Sequence, residues 1–247
     1  MHLAVRTLGT GPRIVLVHGG LGPELSWERQ EPLAERHELV VPWRRGYGDS
    51  PAVEGQDFEV DADDVAALLG EGAHLVGFSY GALGASIAAG RAPERVRALV
   101  LIEPPLFGLA PDDPAVRETM AHAARIFSAE GPAARGAFKA FAGIDRELAD
   151  DELPLLDEPL RAARGSRPPF EAQPDLEAIR ALAVPVLVVS GSDRPGFSRV
   201  CDLIAERTGG ERLTIEGAGH AVQRSAGFNE HLERFLAGAG GSRVPAR

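Results

Sequence analysis

The chain has 247 residues, 44% of them hydrophobic, enough for one packed core near the upper size of a single domain with an insertion. Its 26 Lys and Arg against 36 Asp and Glu give a formal charge of −10 with no basic run, which argues against nucleic acid or an anionic membrane as partner. The single cysteine, Cys201, leaves no disulfide framework and no cysteine-based metal site; with no signal peptide or membrane span in the sequence, the expected location is the cytoplasm.

Short runs of Val, Ile and Leu alternate with helical patterns, the rhythm of an α/β fold in which a mostly parallel sheet is flanked by helices. Strands are expected at 3–7, 13–17, 38–42, 73–78, 96–102, 186–190 and 212–216. Helices are expected at 57–69, 80–90, 175–182, 196–208 and 225–236. The second strand runs into Val17-His18-Gly19-Gly20-Leu21-Gly22, a glycine-rich loop whose backbone N–H of Gly20, or of Leu21 beside it, can meet a developing oxyanion. A phosphate cradle is the competing reading, but no Lys-Ser or Lys-Thr follows the glycines and no G-x-G-x-x-G opens a helix. His18 is read as bracing the loop, because no second ligand lies at metal-site spacing.

The strand at 73–78 leads directly into Gly77-Phe78-Ser79-Tyr80-Gly81 and an alanine-rich helix. A serine between glycines at a strand-to-helix turn reads as a nucleophile elbow: the tight turn presents the hydroxyl at the carboxyl edge of the sheet and leaves room only for small neighbours. The Tyr80 amide, at the start of the helix, is the second oxyanion donor.

After the strand ending near Glu103, the strand rhythm breaks over residues 104–174 into a Pro-, Ala- and Arg-rich region with helical periodicity. It is expected to be a helical cap over the site, with Leu106, Phe107, Phe127, Phe138 and Phe141 facing an apolar substrate pocket. Residues 1–103 and 175–237 then form the core, and 238–247 a glycine-rich flexible tail.

A serine needs a base, and His220 follows a strand directly in Gly217-Ala218-Gly219-His220, at the same edge as Ser79. Of the other histidines, His37 and His74 lie where strands begin, at the opposite edge. Two carboxylates end strands at the correct edge and can orient His220: Asp193 and Glu103, with Asp193 the preferred of the two.

Together, His18-Gly19-Gly20, Arg44-Arg45-Gly46-Tyr47-Gly48-Asp49-Ser50, the elbow and Gly219-His220 resemble the α/β-hydrolases, specifically the small capped bacterial members related to esterases, lactonases and carbon–carbon bond hydrolases. The resemblance implies a serine hydrolase without cofactor or metal, acting on a small-molecule ester or lactone. It leaves the choice between Asp193 and Glu103 open, and Ser79 argues against the epoxide and carbon–halogen chemistries that use an aspartate there. Trp43 departs from the aspartate often found before the Arg-Gly loop. Two alternatives keep the same residues: carbon–carbon cleavage or cyclisation of a metabolite, and a non-catalytic ligand-binding protein on this fold. The oligomeric state is not legible in the sequence.

Overall fold

The computed structural model describes residues 2–129, 131–144 and 146–240. Its strands are β1 (Val5–Leu8), β2 (Arg13–Val17), β3 (Glu38–Pro42), β4 (Ala73–Phe78), β5 (Val96–Ile102), β6 (Val186–Gly191) and β7 (Glu211–Ile215). They form one sheet in the order β1-β3-β2-β4-β5-β6-β7, in which β1 runs antiparallel to β3 and every other pair is parallel. Each residue of β4 and β6 is buried, which is why these strands read as unbroken apolar runs; the edge strands β1 and β7 are half-exposed.

The helices are α1 (Gly22–Trp27), α2 (Phe58–Leu68), α3 (Tyr80–Arg91), α4 (Pro114–Phe127), α5 (Gly131–Ala142), α6 (Asp157–Ala162), α7 (Leu176–Ala181), α8 (Pro195–Thr208) and α9 (Phe228–Gly240). The α2 helix starts where the Asp57 carboxylate accepts the Glu59 N–H at 2.8 Å, satisfying one of the orphan donors of the first turn. Small residues let α3 lie close to its neighbours: a Cβ on Gly84 would come within 2.8 Å of the Asp61 Cβ on α2. The segment between β5 and α7 contains α4, α5 and α6 and packs α4 against α8. Among the described residues, no helix is long and apolar enough to cross a membrane.

Two features depart from the sequence reading. The α1 helix and the 3₁₀ stretch Glu28–Glu35 stand where no element was expected; Pro23 at the first turn supplies the φ that starts α1 without needing its missing N–H. The expected tail at 238–247 begins in the wrong place, because α9 continues to Gly240, anchored by buried Leu232, Leu236 and Ala239 at helical spacing. Residues 241–247 of that tail lie outside the described residues.

Candidate active site

The elbow is built by glycines that no other residue could replace. A Cβ on Gly81 would sit 2.1 Å from the His18 carbonyl oxygen, and one on Gly77 would sit 2.7 Å from both Ala82 Cα and Ala85 Cβ. Between them Ser79 is held at φ 51°, ψ −128°, a conformation L-residues rarely adopt. This turn lifts its hydroxyl off the end of β4, and Ser79 Oγ lies 2.8 Å from His220 Nε2.

The other face of that imidazole meets Glu103. His220 Nδ1 is 3.1 Å from Glu103 Oε2, and Glu103 Oε1 accepts the Gly191 N–H at 2.9 Å. Glu103 is itself at positive φ, 46°, at the end of β5, the strand adjacent to β4. Both of its oxygens act as acceptors, the arrangement that suits an ionised carboxylate. Burial pushes the Glu103 carboxyl well above its usual range, opposed by the Gly191 N–H and by Arg194. Burial, and then the Arg194 charge, lower His220 to about 3, so the ring rests neutral and can accept a proton. Three rings, Phe78, Phe141 and Phe197, enclose it with centroids 4.8–5.1 Å away.

Asp193, the preferred acid in the sequence, does not take this place. It follows β6, one strand further from β4, and its Oδ2 approaches the Gly219 side of the histidine loop while Glu103 occupies Nδ1. The sequence assigns both carboxylates to the right edge but carries no measure of lateral distance along that edge.

The loop after β2 is oriented from behind by Arg44. Its guanidinium donates to the carbonyls of His18 (Nε, 2.9 Å) and Gly19 (Nη2, 3.1 Å), and the Arg44 N–H donates to His18 Nε2 at 2.9 Å. The imidazole therefore carries its proton on Nδ1, which donates to the Gly19 carbonyl at 2.8 Å. Burial, reinforced by the Arg44 charge, lowers its pKa well below the ordinary value and keeps the ring neutral. Because C=O and N–H point oppositely across a trans peptide, fixing the Gly19 carbonyl toward Arg44 turns the Gly20 N–H to the other side. Ser79 lies close to this loop: a Cβ on Gly19 would sit 2.6 Å from Ser79 Cβ, and Gly20 and Ser79 line the same cavity. Tyr80, first residue of α3, lines the same cavity, and its N–H has no acceptor within the helix. Leu21, the alternative donor, is buried at the start of α1 and does not border the cavity.

The cavity holds about 320 Å³, within the range of small-molecule sites. Ser79 and His220 form its floor, with Phe107, Phe127 and Phe141 among its walls. Met120 and Phe197 line it as well and were not singled out in the sequence, where nothing distinguishes a wall residue from a core one. Leu106 is a core residue instead, fully buried, because the chain leaving β5 turns it inward. Phe138 stands behind the wall, over Gly20 and against the Phe127 ring at 5.7 Å. Trp43 is away from the cavity and donates from its indole to Glu24 at 2.7 Å. The two arginines that border the cavity are both paired, Arg44 with buried Asp61 at 2.7 Å and Arg167 with Glu171 at 3.1 Å. Burial works against the Arg44 charge, but Asp61, Tyr47 and Tyr80 together outweigh it and hold the pKa above the ordinary arginine value.

The family model for alpha/beta hydrolases matches residues 14–232, and the chain belongs to that family. Over 105 residues it is 34% identical to a pimeloyl-[acyl-carrier protein] methyl ester esterase of Aeromonas salmonicida, and over 103 residues 39% identical to a protein of the same name from Chromobacterium violaceum. Each of these matches spans 41% of this chain and 41% of the relative's own length. Among solved structures, the N-acyl homoserine lactonase AidH superposes with a TM-score of 0.76 at 21% identity, covering 99% of this chain and 95% of that one. A thermophilic esterase from Thermogutta terrifontis superposes with a TM-score of 0.68 at 25% identity, covering 96% of this chain and 93% of that one.

Proposed function

We propose that this protein is a serine hydrolase that cleaves an ester or lactone bond in a small, uncharged, largely apolar substrate. The observation that carries the reading is the continuous chain of hydrogen-bond distances from Ser79 through His220 to Glu103 at the floor of an apolar cavity. Ser79 Oγ attacks the carbonyl while His220 Nε2 takes its proton, and Glu103 stabilises the imidazolium through Nδ1–H. The carbonyl oxygen becomes an oxyanion held by the Gly20 and Tyr80 amides. His220 returns the proton to the leaving alcohol; a water, deprotonated by the same ring, then attacks the acyl carbon, and the ring passes that proton to Ser79 Oγ as the acid is released. No cofactor or metal takes part in these steps.

The engagement of Arg44 supports an uncharged substrate, since the one buried guanidinium at the cavity is already held by Asp61, Gln56 and two carbonyls. Residues 104–174 serve as a lid: α4, α5 and α6 supply Met120, Phe127, Phe141 and Pro159 to the cavity, shielding the acyl-enzyme from bulk water. The esterase and lactonase names of the relatives and neighbours agree with this chemistry. A fluorophosphonate probe tests the reading. Peptide mass spectrometry should find the adduct on Ser79 of the wild type and none in Ser79→Ala. A wild-type protein that stays unlabelled and leaves p-nitrophenyl butyrate and γ-lactones intact would favour a ligand-binding role instead.

A further inference from the structure

The two amides proposed as oxyanion donors lie on different elements, the loop after β2 and the start of α3, and the supports of both meet at one residue that carries no motif. Gln56, in the loop before α2, is 5% exposed. Its side-chain oxygen accepts from Arg44 Nη1 at 2.6 Å and its side-chain nitrogen donates to the Arg45 carbonyl at 2.6 Å. Its backbone carbonyl accepts the Tyr80 hydroxyl at 3.0 Å and the Arg167 N–H at 2.8 Å, and its backbone N–H donates to Ser166 Oγ at 3.0 Å. The Tyr80 hydroxyl also lies 2.9 Å from the Arg167 carbonyl. The two backbones touch so closely here that a Cβ on Gly55 would sit 2.2 Å from the Gly165 carbonyl oxygen.

We infer that Gln56 is a positioning residue that couples the seating of the helical insertion to the alignment of the oxyanion donors. Through Arg44 it holds the Gly19 carbonyl, and so the direction of the Gly20 N–H. Through its own carbonyl it holds the Tyr80 side chain, one bond system away from the other donor. Through Ser166 and Arg167 it ties both to the point where the insertion returns to the core. A primary amide is suited to the task because it accepts from one arginine and donates to the next residue's carbonyl; a carboxylate can do only the first and a hydrocarbon neither. When the insertion lifts at its 165–167 end, the Gln56 loop moves with it and Arg44 loses an acceptor, so donor alignment becomes conditional on a seated lid.

This rests on the hydrolase reading, and the test separates the two. Gln56→Leu removes a hydrogen bond to a charged group, which corresponds to a loss of about 10–100-fold. That loss should appear in kcat for p-nitrophenyl butyrate with KM nearly constant. The inhibition constant of an alkyl trifluoromethyl ketone, whose Ser79 adduct places an oxyanion at the same amides, should rise by the same factor. Gln56→Glu, which keeps the acceptor for Arg44, should retain most of kcat. Unchanged kcat in Gln56→Leu, or a loss confined to KM with inhibitor affinity unaltered, would overturn the proposal. Hydrogen exchange provides a readout that does not need turnover and applies even if the wild type proves inactive. Gln56→Leu should speed exchange in peptides covering 17–22 and 163–170 together, and acceleration in only one of them, or in neither, would show that the two are not coupled.

Discussion

Each edge of the sheet carries histidines beside a cavity. At the amino ends of the strands, His37 and His74 border a space of about 960 Å³ together with Arg97 and Glu233. At the carboxyl ends, Ser79 and His220 border one of about 320 Å³. The histidines at the larger space are only partly engaged: His37 Nε2 lies 4.0 Å from Glu233, and among the described residues neither His37 Nδ1 nor His74 Nδ1 has a hydrogen-bond partner. At the smaller one, two non-glycine residues are forced to positive φ, Ser79 and Glu103, and both ring nitrogens of His220 are engaged. Strain and convergence mark the site where volume does not, because a fold retains a costly backbone conformation only where its surroundings hold it in place.

The contrast can be broken by mutation. The largest effect is expected from His220→Ala, which should lower kcat for p-nitrophenyl butyrate by about 10⁵–10⁶-fold, as removal of a base acting as one unit with its nucleophile does. Circular dichroism should show the fold retained. A variant within tenfold of wild type would remove His220 from the chemistry.

A smaller and more diagnostic effect concerns pH. Burial lowers both imidazoles, His74 to about 4 and His220 to about 3. The base must be neutral to accept the Ser79 proton, so lowering its pKa extends activity toward acid. The His220 ring, followed by NMR so that the titration of Glu103 is not mistaken for it, should therefore stay neutral to below pH 5, and half-protonation near 6.5 would show that His220 is solvated as an ordinary histidine. The smallest effect belongs to the other edge. His74→Ala should leave kcat and KM within about twofold of wild type, since surface and remote changes seldom reach the chemistry. A large loss there would mean the two edges are coupled.

Most of the frame was legible because parallel strands buried on both faces write themselves as apolar runs: β2, β3, β4 and β5 have the bounds expected from the sequence. Ser79 and His220 were legible because glycine spacing and strand-end position are local signals. The acid was not. Glu103 and Asp193 both follow strands at the same edge, and only the lateral order β4-β5-β6, with the turn of Glu103 into positive φ, brings one of them to His220. Arg44 stood inside a recognisable loop, but its role as the clamp on His18 and Gly19 depends on contacts across 25 and 26 residues. Gln56 gave no signal, since its bonds reach partners such as Ser166, 110 residues away in the chain. The α1 helix was missed because a six-residue helix is too short to show a period.

The measurement that bears most directly on the arrangement at the carboxyl edge is kcat for Glu103→Gln set beside Asp193→Asn. The amide at 103 should cost a factor on the order of 10⁴, as replacement of the orienting acid does in such triads, while the amide at 193 should leave kcat within a few-fold of wild type. The reverse order, or small equal losses from both, would contradict the account.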